Sequence, residues 1–128
     1  MLNIHETFFK NAIQKMKSDQ FNQKLFKAFI LAGGTTRLAD HLNAKGYKTV
    51  KGIKYLGKDL KEFLLNPDNH IGIEEVILNI VIDIITNKTQ GSFEQRLESA
   101  IIKEYEKING EFWYYSDKSL SELLPNIF

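Results

Sequence analysis

The sequence predicts an all-α fold, and three observations carry that expectation. Apolar residues recur at three- and four-residue spacing in successive segments. Those segments are punctuated by helix-stop signals at Gly33-Gly34, Gly46, Asn66-Pro67 and Asn109-Gly110. The stretch richest in β-branched residues, GIEEVILNIVIDIITNK from Gly72, repeats the pairs Val76/Ile77, Ile80/Val81 and Ile84/Ile85 every four residues. That repeat suits a helix and does not alternate as a half-buried strand would.

Taken in order, a first helix is expected from Asn3, whose side chain can cap while Glu6 reaches back. Ile4, Phe8, Phe9, Ala12, Ile13 and Met16 form its apolar face. Ser18 and Asp19 break the pattern and are placed to cap a second helix, with Phe21, Leu25, Ala28, Phe29 and Ala32 inward. Gly33-Gly34 ends it, because glycine tolerates the left-handed conformation of a helix exit. A third helix, opened by Thr35 or Thr36, turns Leu38, Ala39 and Leu42 inward and stops at Gly46. A loop from Tyr47 to Tyr55 leads to a fourth helix that starts near Gly57 or Lys58. Leu56, Leu60, Phe63 and Leu64 face inward there, and the helix stops before Pro67.

The Ile73–Ile85 helix is apolar over most of its circumference, with Glu75, Asn79 and Asp83 as a narrow polar stripe. Such a helix must be covered by its own domain or by a partner subunit. A homodimer interface through Ile77, Ile80, Val81, Ile84 and Trp113 is the expectation this raises. Ser92 and Gln95 form a second capping-box spacing before a helix lined by Phe93, Leu97, Ala100, Ile101, Tyr105 and Ile108. The one candidate strand is Phe112–Tyr115, and a short capped helix follows from Ser119 to Leu124. The natural seam is 66–72, dividing a basic region, 1–66, from an acidic one, 67–128, that completes the core.

Composition excludes several classes. The 128 residues include no cysteine, so disulfides and thiolate metal sites are ruled out. His5, His41 and His70 share no metal-ligand spacing, and no cofactor motif is present. Gly33-Gly34-Thr35-Thr36 lacks the Gly-Lys-Ser/Thr ending of a phosphate-binding P-loop. No nucleophile, base and orienting group fall into a catalytic pattern, so an enzyme is not expected. The first residues are too polar for a signal peptide and the longest apolar run too broken for a membrane span, which points to a cytoplasmic protein. The net charge is only +1, yet residues 1–65 hold 12 Lys/Arg against 5 Asp/Glu while residues 66–128 hold 5 against 11. Such asymmetry suggests a polyanion-binding region, or an acidic half packed against a basic one.

The basic residues concentrate in Thr35–Asn66. Lysines at 45, 48, 51, 54, 58 and 61 recur every three or four residues across loop and helix. Neutralising phosphates with Lys/Arg supplies most non-specific DNA affinity. A helix presented by its N-terminal end would bring Lys58 and Lys61 to the duplex, and Arg37 offers the stretch's guanidinium. Asp59 and Glu62 oppose this on the fourth helix, where Lys58 and Glu62 are spaced for an ion pair.

The segment LADHLNAKGYKTVKGIKYLGKDLKEFL, matched at Leu38, Ala39, Leu42, Asn43, Gly46, Thr49, Gly52, Tyr55, Leu60, Phe63 and Leu64, resembles the short DNA-binding segment of large serine recombinases of the resolvase/invertase type. Tyr55 stands where that family mostly has tryptophan, and Val50 where proline is common. Nothing upstream resembles the serine catalytic domain, so recombinase activity is not implied. The resemblance implies a helix-turn-helix-like unit whose loop and second helix approach DNA. The expected nucleic-acid contacts are Arg37, Lys45, Lys48, Thr49, Lys51, Gly52, Lys54, Lys58 and Lys61. The expected function is a small protein that binds double-stranded DNA, as a transcriptional regulator or a mobile-element accessory factor. The alternative is a protein–protein interaction module using its charged faces.

Overall fold

The computed structural model describes residues 4–87 and 91–108. Among these, every regular element is a helix. In chain order they are α1 (Ile4–Lys15), α2 (Phe21–Ala32), α3 (Thr35–Ala44), α4 (Gly57–Leu65), a single 3-10 turn (Pro67–Asn69), α5 (Glu75–Thr86) and α6 (residues 93–108). The expected cap Asn3, the closing Asn109-Gly110, the candidate strand Phe112–Tyr115, Trp113 and the helix 119–124 lie outside the described residues.

α5 is the centre of the molecule. It packs against α1, α2 and α4, and α6 covers its remaining side. Ile77, Ile80, Val81 and Ile84 are at most 1 % exposed. They belong to one core shared with Leu25, Phe26 and Phe29 of α2, Leu38 and Leu42 of α3, Leu60 and Leu64 of α4, and Ala100 and Ile101 of α6. This corrects the expected dimer interface. The four residues are buried against their own chain, so they offer no surface to a second copy. The apolar circumference of α5 reflects a helix surrounded by its own domain.

Two of the three residues of the polar stripe of α5, Asn79 and Asp83, also find partners within the chain, while Glu75 is exposed. Asn79 donates a 2.9 Å hydrogen bond to the carboxylate of Glu104, which is only 9 % exposed. Asp83 lies 3.8 Å from the Lys103 ammonium. Both partners are on α6, so the stripe selects the register of α6 along α5. Edge-to-face contacts of Tyr105 with His5 and Phe8, and of Phe93 with Phe29, tie α6 to α1 and α2.

Several helix ends differ from expectation. The backbone N–H of Gln20, not a group on Ser18 or Asp19, is satisfied at the start of α2, by the side chain of Gln23 at 3.0 Å. α3 begins directly at Thr35, with Gly34 as its cap residue and no side-chain cap. Gly33 and Gly34 both have positive φ, so the chain reverses within two residues and leaves no room for a capping threonine. At α6 the expected box forms. Ser92 N–H donates to Gln95 Oε1 at 3.0 Å, and Gln95 N–H donates to Ser92 Oγ at 3.2 Å.

The segment 66–72 is no free linker. Asn22 donates to the carbonyls of Asn69 and Ile71, both at 2.9 Å, and Gln23 donates to Gly72 at 3.1 Å. His70 bonds the Leu64 carbonyl at 2.7 Å and packs edge-on to Phe26. Two side chains at the start of α2 thus fasten the crossing from α4 to α5. Among the described residues no helix is long and apolar enough to cross a membrane.

Candidate nucleic-acid interface

α3 and α4 pack directly against each other. Residues 45–56 connect them, a longer connection than the three- or four-residue turn of a standard helix-turn-helix. The shape of this loop is dictated in four steps, three by residues of the Asn43–Gly46–Thr49–Gly52–Tyr55 spacing and the last by Asp59.

At the end of α3, Gly46 takes φ +84°. Its N–H donates to Asn43 O at 3.1 Å, and the next N–H, of Tyr47, donates back to Leu42 O at 3.0 Å. This double closure is the Schellman arrangement, which satisfies carbonyls that the helix end would leave open. Further along, Gly52 N–H donates to Thr49 O and Thr49 N–H donates to Ile53 O, both at 2.8 Å. Gly52 has φ +77°. The result is a hairpin-like tip of the three-residue kind, with a left-handed glycine in its third position. Val50 and Lys51 occupy the apex.

The base of the loop is clamped by Asn43. Its amide nitrogen donates to Tyr55 O at 2.9 Å, and Tyr55 N–H donates to its Oδ1 at 2.7 Å. One side chain thereby satisfies both backbone groups of a residue twelve positions away, much as a neighbouring strand would. Tyr55 then packs its ring against the core. Finally, Asp59 accepts from Leu56 N–H at 2.8 Å and opens α4. Leu56 is left in extended conformation ahead of the helix and is largely exposed, contrary to its expected inward position.

The expected contact residues divide between two places. Lys51, Lys58 and Thr49 line an open cleft of about 610 Å³ beside the tip, together with Phe21, Val50, Ile53 and Phe63. Lys45, Lys48 and Lys54 are exposed along the same loop. Lys61 instead lines a pocket of about 200 Å³ with Gly34, Thr35, Arg96 and the end of α5. Arg37 lies beside that second place, its guanidinium next to Gly33. Arg96 was not singled out from the sequence, where it is one cation in an acidic half. Its Nε is buried and has no hydrogen-bond partner among the described residues. Thr49 and Gly52 shape the tip.

Basic side chains outnumber carboxylates along the loop, although Asp59 and Glu62 line the same cleft as Lys51 and Lys58. Among the described residues, none of the seven candidate basic side chains forms an ion pair, and Lys58 and Glu62 do not make the pair their spacing allows. Asp59, which would repel phosphate if free, is turned onto the backbone. The same surface carries apolar side chains. Val50 is fully exposed, Ile53 is 56 % exposed and Tyr47 51 %. Phe21 bridges this patch to the body of the protein through ring contacts with Tyr47 and Phe63.

Compared with protein-family models, characterised proteins and solved structures, the chain matches none. The functional reading therefore rests on the residues and geometry above.

Proposed function

We propose that this chain is a small protein that binds double-stranded DNA through the loop 47–56 and the first turn of α4. The observation that carries this reading is the clamped loop itself, which holds Lys48, Lys51 and Lys54 next to Lys58 of α4, none with a carboxylate partner among the described residues. Ordering a loop costs conformational entropy, and that cost falls here before any ligand arrives. Four such lysines reach phosphates along one strand or across a groove, with α4 offering its N-terminal end. A role as a transcriptional regulator or mobile-element accessory factor fits a binder of this size.

Fluorescence anisotropy with a short labelled duplex at several salt concentrations tests the proposal. Four phosphate contacts give a slope of log affinity against log salt of about −3.6. Lys51→Glu combined with Lys58→Glu is expected to abolish binding, and undiminished duplex binding by that variant would refute the reading.

A second reading has its own supporting observation, the apolar cleft and exposed Val50, Ile53 and Leu56 beside the lysines. A contiguous apolar surface rimmed by charge suits an acidic amphipathic protein segment. Duplex binding that is absent or insensitive to salt would favour it.

A further inference from the structure

The exposed apolar residues of the loop have a position that phosphate binding alone leaves unexplained. Val50 stands at the apex of the hairpin-like tip, and Ile53 follows on its returning limb. Neither faces the core. Both are held by the tip closure at Thr49–Ile53, and the Asn43–Tyr55 clamp fixes the base below them. A rigid apolar apex between cations is the form of a side chain that enters between stacked bases.

We infer that the Val50–Ile53 tip is a wedge, inserting into the minor groove and prising apart one base step while the flanking lysines hold the phosphates. This rests on the DNA reading and deepens it from contact to deformation. The charge pattern supports the occupant. Lys48 precedes the apex, Lys51 lies on it and Lys54 follows, so cations lie to both sides of the apolar pair. The minor groove, about 6 Å wide, admits one narrow tip but not a helix. Lipid is the other anionic surface such a tip could meet. Membrane affinity grows with inserted apolar area, to which exposed Tyr47 and Leu56 would add, so the vesicle arm of the test decides between the two.

The test is end-to-end energy transfer across a short duplex labelled at both ends, with the full chain added at low salt. Wild-type protein is expected to shorten the end-to-end distance, as a kink of roughly 20–90° would. Val50→Ser combined with Ile53→Ser is expected to bind within about tenfold of wild type, because the phosphate contacts remain, yet to leave the duplex straight. Both residues are exposed, so the variant should melt at the wild-type temperature; Val50→Ser alone serves as a milder second variant and should reduce the bend. A duplex bound by wild type but not bent overturns the wedge and leaves the DNA reading standing. Equal bending by wild type and the double variant overturns it likewise. No binding of any duplex overturns both. Tip-dependent capture of phosphatidylserine vesicles without duplex binding overturns both in favour of a lipid surface.

Discussion

Replacing Asn43 by alanine removes two hydrogen bonds at once, the 2.9 Å donation to Tyr55 O and the 2.7 Å acceptance from Tyr55 N–H. Each such bond contributes about 1 kcal/mol net, and a buried group left unmatched costs about 1–3 kcal/mol. Tyr55 is only half-buried, so water can reach the freed groups and the lower figures apply. The expected loss is about 2 kcal/mol. Loops open as local units below the energy of global unfolding, so the first readout is amide hydrogen exchange at Tyr55. Since 1.4 kcal/mol is a factor of ten, that exchange should quicken about 30-fold. Thermal melting gives the upper bound, a fall of about 8 °C if the loop and core unfold together. Asn43→Asp is the informative control, because it keeps the acceptor for Tyr55 N–H but sets a carboxylate against the Tyr55 carbonyl. It should lose at least half as much as the alanine variant. Unchanged exchange at Tyr55 in Asn43→Ala would refute the claim that this side chain holds the loop.

Other changes probe the same framework. Gly52→Ala meets open space but must adopt φ +77°, so it should cost roughly 1–2 kcal/mol, read as faster exchange at the Thr49 amide, which donates to Ile53 O, with little change in the core. Ile80→Ala should lower stability in urea by about 2–5 kcal/mol while leaving the mass by light scattering unchanged; altered association without lost stability would return Ile80 to an interface. Gln23→Ala frees both Gln20 N–H and Gly72 O, and a loss of about 1–2 kcal/mol is expected in the same unfolding assay.

The spacing of residues 43–55 carries a lesson about what a motif encodes. Read along the chain, Gly46 marks a helix stop, while Thr49 and Gly52 invite a ligand-contact interpretation. In the folded protein they build the Schellman closure and the tip turn, and Asn43, which carried no role by itself, fastens the loop. The spacing is that of backbone geometry, and the lysines between its positions are what it displays. The Lys58–Glu62 pair was legible as helix spacing but does not form, because an exposed ion pair gains little over hydration.

By itself the sequence determined the helical class, most helix limits and the basic stretch, since these depend on local periodicity, glycine conformation and capping within a few residues. It also determined that α5 had to be covered on most sides. Only the tertiary structure decided what covers it. Burial by α1, α2, α4 and α6 and burial by a second copy place the same demand on the sequence of that one helix, and contacts between segments far apart choose between them. The same holds for the basic residues. Lysines three apart look alike along the chain, but the packing of α4 sends Lys58 to the loop cleft and Lys61 to the start of α3 beside Arg96. A residue's neighbours in space are set by how helices cross, and no local pattern records that.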